Sequence, residues 1–340
     1  MNQIMGINIW WNLYIVQVID MSKSLLQRVF GKVGQVLKNF DLRSKANNKI
    51  RKSNWYYNQF PHLREYERLE RNADIICIGS TPAKNAVDFK TVNNIKGYNL
   101  AICPETIFYD FQVLKNYHSY LREGGTILFV LYPFTFLKDY YRNEYGSKSY
   151  LNIRYYPVLH RAMIDTFDYK LYHKWVEAPM LLGKEAWKRL IKDHPQSSAM
   201  DYRSNPNTPE DSKNFCKERV KNWMREFHMK NLNPFDIPSE IIDAINGNIE
   251  IFKKMKLFIE ERGYKAMIIV PPFPEEMVSL LPNDLVKVTL MDPIMATGLP
   301  YISYYGREEW LSRDLYYHGF LLNARGRELL TKELLAQIDL

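Results

Sequence analysis

Two short stretches hold the side chains from which chemistry could be built. The first is Gly79-Ser80-Thr81, directly after the apolar run Ile75-Ile76-Cys77-Ile78. The second runs from Asp314 through His318 to Asn323, then on to Gly326 and Thr331. A hydroxyl, an imidazole and a carboxylate are the components of nucleophilic acyl transfer. The hydroxyl attacks, the imidazole takes its proton, and the carboxylate orients the imidazole. On that reading Thr81 or Ser80 is the nucleophile, His318 the base and Asp314 the orienting carboxylate. Each residue also has a plainer reading. A Ser or Thr after a strand caps the next helix, and a His beside Gly319 sits in a turn or at the surface.

The surrounding pattern says what must position these groups. Short, continuously apolar runs at 74–79, 98–102, 126–131 and 266–270, with a shorter one at 301–303, read as buried strands. Between them, helical spacing covers 106–122, 239–262, 284–295 and 325–338, with Gly124-Gly125 and Gly263 as stops. Strands alternating with helices give an α/β fold with a parallel sheet. Ligands of such sheets bind at the carboxyl ends of the strands. That singles out Ser80-Thr81, residues 103–106, 132–136 and 271–274, and the segment before the last helix. Between Phe136 and Pro238 the rhythm is lost. This stretch reads as a helical, aromatic-rich insertion at about 137–238, a lid or partner-binding cap, with a loop at 195–209. Its Tyr140, Tyr141, Tyr155, Tyr156, Trp175 and Trp187 suit a sugar- or protein-binding surface, or an ordinary aromatic core.

Composition narrows the function. The 340 residues hold 46 basic and 38 acidic side chains, a net +8. Residues 1–60 carry nine Lys/Arg and two Asp, so the rest of the chain is nearly neutral. That argues against a nucleic-acid surface on the body. Three widely spaced cysteines favour a reducing compartment over a disulfide framework. The chain has no Gly-rich dinucleotide fingerprint, no Walker loop, no Gly-x-Ser-x-Gly elbow and no zinc spacing, so no cofactor or metal is expected. Residues 1–54 form an apolar and basic arm. Its stretch 4–19 is shorter than the ~20 residues a membrane span needs, and Met21 offers an alternative start. Residues 22–40 place Leu25, Leu26, Val29, Phe30, Val33, Val36, Leu37 and Phe40 at helical spacing among Lys23, Arg28, Lys32 and Lys38. This pattern suits an amphipathic helix on an anionic membrane surface, or one packed on the body. The expected location is the cytoplasm, at the inner face of the membrane if that helix binds lipid.

From about residue 70 to 338 the chain resembles the GDSL/SGNH hydrolase superfamily. The likeness is to the branch found with bacterial surface-polysaccharide genes. The first strand ends in Gly79-Ser80-Thr81. A second block is Asn99-Leu-Ala-Ile-Cys-Pro-Glu-Thr106, Ile268-Ile-Val-Pro-Pro272 fits the branch, and Asn323 and Gly326 open a closing helix. The resemblance implies a flavodoxin-like, three-layer SGNH-type sheet. It implies an esterase or acyltransferase acting on an O-acetylated surface glycan or its lipid-linked precursor. Thr81 would stand at the nucleophile position, and Glu105, Thr106 and Asn323 would lie at the substrate. The alignment also puts Leu321 where the superfamily has its His. It puts Pro104, which has no N–H, where a Gly donates to the oxyanion. The alternative it leaves open is a catalytically degenerate relative that binds glycan or a partner.

Overall fold

The computed structural model describes residues 62–102, 106–138 and 212–338, with isolated positions at 48, 49, 52, 155 and 157–159 and the backbone of 209–211. The side chain of His318 lies outside the described residues, as does most of the arm and of the insertion. The chain divides into two units, and the second, residues 57–172 and 194–340, holds the sheet and both candidate stretches.

In chain order the elements of this unit are α1 (Leu63–Glu67), β1 (Ala73–Gly79), α2 (Thr81–Ala86), β2 (Gly97–Asn99), α3 (Ile107–Tyr117), β3 (Leu121–Val130) and α4 (Pro209–Glu226). They continue with α5 (Ser239–Glu260), β4 (Lys265–Val270), α6 (Glu275–Val278), α7 (Asn283–Val286), α8 (Asp292–Thr297), β5 (Tyr301–Ser303), β6 (Tyr316–His318), β7 (Leu321–Leu322) and α9 (Ala324–Ala336). Among the described residues the sheet has five strands in the order β2-β1-β3-β4-β5, and each of these pairings is parallel. This is the strand order of flavodoxin-like doubly wound sheets, whose switch point lies between the first and third strands. The small β6–β7 hairpin is antiparallel.

Alternation along the strands assigns the two faces. Ile75 and Cys77 of β1, Leu128 and Val130 of β3 and Ile269 of β4 share one apolar cluster with Ala83 and Ala86 of α2, Leu322 of β7, and Leu330 and Leu334 of α9. The intervening residues face the other way. Phe129 meets Phe252 of α5 edge-on at 5.3 Å, and α5 packs in turn on α3 and α8. A two-sided apolar sheet between helices is what continuous rather than alternating hydrophobic strands require.

Several boundaries differ from the sequence expectation. The helix expected over 106–122 ends at Tyr117 and is followed by a 3-10 turn, His118–Tyr120. Gly124-Gly125 do not stop a helix. They lie inside β3, where the register against β1 shifts and Gly124 takes φ +67°. The second strand is assigned only over Gly97–Asn99, yet its backbone goes on bonding to β1, with the N–H groups of Leu100 and Ile102 donating to Cys77 and Gly79. The helix expected over 284–295 is broken by a π-turn at Lys287–Met291. Pro293 lacks the N–H that would continue a regular ladder there. Within the insertion, α4 buries Ser212, Cys216, Val220 and Trp223 along one side.

Candidate functional site

The carboxyl edge of the sheet begins with β1, six of whose seven residues are buried. Gly79 closes it at φ +142°. A Cβ there would lie 2.7 Å from both the Ala83 Cβ and the Val130 carbonyl oxygen. The absence of a side chain therefore lets α2 lie directly on the end of β3. Ser80 is the N-cap of α2 and is buried, and its carbonyl accepts from the Lys84 N–H at 2.9 Å. Its hydroxyl makes no capping bond to the helix. Thr81 is the first helical residue and is half-buried, the more open of the two hydroxyl groups. Its carbonyl accepts from Asn85 Nδ2 at 2.7 Å.

The second stretch reaches the same edge. Helix α2 packs on β7 and α9, so the turn that carries Thr81 and the segment that carries Asp314 to Asn323 are neighbours. Asn323 is the N-cap of α9. Its Oδ1 accepts from the Gly326 N–H at 2.9 Å, and its Nδ2 donates to the Asp314 carbonyl at 2.6 Å. A Cβ on Gly326 would meet the Leu315 carbonyl oxygen at 2.4 Å, so the helix start presses on the chain before the hairpin. Asn323 and Gly326 thus stitch α9 to the turn that precedes β6–β7. Thr106 does similar work for α3: it is buried, and its Oγ1 accepts from the Tyr109 N–H at 3.4 Å. Glu105, with Cys103 and Pro104, lies outside the described residues.

Asp314 is exposed. Its carboxylate accepts from the Ser312 hydroxyl and from Arg325 Nη1, the latter at 2.8 Å. The Ser312 hydrogen bond and then the Arg325 charge hold this carboxyl below the usual range. The backbone of His318 ends β6, two residues after the buried Tyr316.

Sequence reasoning missed the groups that organise this edge from below. Arg313 Nη1 donates to the Gly319 carbonyl at 2.8 Å, Nη2 donates to the Ser212 hydroxyl, and Nε lies 4.0 Å from Glu276 Oε1. One guanidinium therefore joins the hairpin turn, α4 and α6. Burial lowers the pKa of Arg313, while the Glu276 charge opposes that shift. The neighbouring Cys216 thiol is pushed up to about 12, first by burial and then by Glu276. Gly319, at φ +53°, has no room for a Cβ because the Phe215 ring would be 2.1 Å away. Around these groups Phe320 packs against Phe273 (5.3 Å) and Trp223 (5.8 Å). Phe134, fully buried at φ +76°, lies 4.7 Å from Trp223. A bulky residue keeps such a backbone only where packing enforces it. Arg313 adjoins the candidate carboxylate Asp314, and Glu276 follows the strand-end segment 271–274 by two residues. Their partner Ser212 is 101 residues from Arg313, beyond any local signal.

Of the six aromatic residues expected to give the insertion a binding surface, only Tyr155 lies among the described residues. It is buried and stacks on Tyr109 at 4.3 Å, so it belongs to the core. Among the described residues no cluster of His, Cys, Asp and Glu could hold a metal, and no helix is long and apolar enough to cross a membrane. No protein-family model matches the chain, and no curated protein does.

Proposed function

We propose that the chain is an SGNH-like protein of bacterial surface-polysaccharide biosynthesis that binds acylated glycan, or its lipid-linked precursor, at the carboxyl edge of the sheet. The observation that carries this reading is the engagement of Asp314. A triad needs its carboxylate on the imidazole, and this one is exposed and bonded to Ser312 and Arg325. Losing the orienting carboxylate costs about 10^4-fold in Ser-His-Asp enzymes. Losing an oxyanion donor, as Pro104 in place of a Gly implies, costs a further ~10^2–10^3. What remains is a scaffold whose half-buried Thr81 stands at the strand end where such proteins hold their ligand. The basic, apolar-striped residues 22–40 would keep it at the inner face of the membrane, near lipid-linked glycan.

A second reading is supported by the packing of α2 on β7, which makes neighbours of the Thr81 turn and the His318 strand. On it, Thr81 and His318 act as a dyad that removes or transfers an acetyl group. One experiment separates the two. The purified protein is treated with a fluorophosphonate, adducts are located by peptide mass spectrometry, and acetate release is followed on O-acetylated polysaccharide. Binding predicts that acetylated polysaccharide is retained better than its de-acetylated form, with no adduct at Ser80 or Thr81 and no acetate released. Acetate release that disappears in Thr81→Ala and in His318→Ala would overturn it in favour of the dyad. Loss of neither retention nor turnover in any strand-end variant would refute both.

A further inference from the structure

A crevice on the flank of β2 shares no catalytic or capping residue with the carboxyl edge. It encloses about 420 Å³ between α1, the end of α2, the turn at 88–90, β2 and α9. Five cations line it, Arg64, Arg68, Lys84, Lys90 and Arg327, against the carboxylates of Glu65 and Asp88. The chain beyond residue 60 has almost no net charge. A net +3 gathered around one concavity is therefore a local feature, not the overflow of a basic protein.

The crevice is built, not incidental. Arg327 has only 8% of its side chain exposed, and its Nη2 donates to Asp88 Oδ2 at 2.7 Å. The Asp88 N–H donates to Thr331 Oγ1 at 2.9 Å, and Lys90 Nζ donates to Glu65 Oε1 at 2.5 Å. Both carboxylates are thus bonded to cations of the wall, which they hold in place. The floor mixes polar and apolar groups, with Asn99 beside Val87, Phe89 and Ala101. Asn99 Nδ2 spans the carbonyls of Ala83 and Val87 at 2.9 and 3.0 Å. Gly97 packs so tightly on Phe89 that an added Cβ would sit 2.3 Å from its ring. Arg64 and Arg68 are four residues apart at α1 and so lie on one side of it.

We infer that this crevice binds a small phosphate ester of about the size of a sugar phosphate. Its volume falls in the range of small-molecule sites. Guanidinium forks match phosphate oxygens in geometry, a phosphate monoester carries nearly two charges at neutral pH, and a floor of mixed polarity suits a ring that carries hydroxyl groups. The site is independent of the reading of the carboxyl edge, which stands or falls by other residues. The phosphate can arrive on a soluble sugar or on a lipid headgroup.

Binding is measured by calorimetry on the full chain with glucose 1-phosphate, and with glucose as the uncharged control. Flotation with phosphatidylcholine vesicles containing phosphatidic acid, against phosphatidylcholine alone, tests the lipid source. Saturable binding of glucose 1-phosphate but not glucose is expected, weakening with added salt. Arg68→Ala/Lys84→Ala, which alters only the exposed rim, is expected to weaken it at least tenfold, while Lys253→Ala on the far side of α5 leaves it unchanged. Flotation with phosphatidic acid that is lost in the same double variant, without binding of the soluble sugar, would assign the phosphate to a lipid. The proposal would be overturned if neither saturable glucose 1-phosphate binding nor flotation sensitive to the double variant is found, or if the double variant leaves glucose 1-phosphate binding intact.

Discussion

Replacing Gly79 by Ala perturbs the turn on which the candidate site is hung. The new Cβ would stand 2.7 Å from the Ala83 Cβ and from the Val130 carbonyl oxygen, about an ångström inside normal contact. Neither neighbour is a flexible side-chain end: one is on the first turns of α2, the other is backbone of β3. Overpacking of this kind costs about 1–3 kcal/mol. A non-glycine residue held at φ +142° costs about 1–3 kcal/mol more. The expected loss is thus about 4 kcal/mol, a large part of the ~5–15 kcal/mol that holds a domain together. Urea unfolding followed by far-UV circular dichroism reads it as a shift of the midpoint. Gly263→Ala is the matched control. It also has positive φ, +69°, but nothing lies within 4 Å of its added Cβ, so it carries backbone strain alone. If Gly79→Ala loses no more stability than Gly263→Ala, the close approach of α2 to β3 is not what the glycine serves, and the argument for this turn fails.

Other perturbations test the frame around the site. Asp74 accepts from the Lys96 N–H at 2.8 Å and from Arg122 Nε at 2.7 Å, tying β1 to its neighbours on both sides. Burial alone would raise its pKa, but these two bonds outweigh it and the net shift is downward. The carboxylate therefore stabilises the fold above its unfolded pKa of about 4, and that contribution is lost as pH falls through the lower folded value. Asp74→Asn is expected to be less stable than wild type at pH 7, and the gap in melting temperature should close below about pH 4. Asn248, buried on α5, donates to the carbonyls of Phe136 and Lys138 at 2.7 and 3.1 Å. Asn248→Leu leaves both acceptors buried without their donor, costing about 2–4 kcal/mol. It should also raise proteolytic cleavage just after Lys138. The Cys216 thiol, fully buried and pushed up to about 12, should resist iodoacetamide at pH 8 until the protein is unfolded, as read by peptide mass spectrometry.

Much of the sheet was legible because its strands are continuous apolar runs, and the α5 stripe because its period is sustained over 22 residues. The failures were local conflicts that tertiary structure resolved. Gly124-Gly125 read as a helix stop, but the irregular register of β3 needed a glycine at φ +67°. Helix α4 was not placed because its buried residues, Cys216, Val220 and Trp223, are spread through a strongly charged segment. At the site, the capping duties of Thr106 and Asn323 depend on partners three residues away, within reach of sequence reasoning. The partners of Asp314 and Arg313 were out of reach. Arg325 lies eleven residues from Asp314, and Ser212 belongs to an element with no clear signal of its own.

The joint between α2 and α9 sets an order on synthesis. Ala83, Ala86 and Val87 leave the ribosome early, yet the apolar surface that covers them includes Leu330 and Leu334. Asp88 meets Arg327 and Thr331 only after 239 and 243 further residues. At ~5–20 residues per second that delay is roughly 12–50 s. Throughout it, the part of the β1 and β3 face that Leu330 and Leu334 help to cover stays unsealed in the nascent chain. The growing polypeptide therefore depends on shielding by chaperones, and chains truncated before α9 should be cleared as misfolded instead of accumulating as a smaller domain.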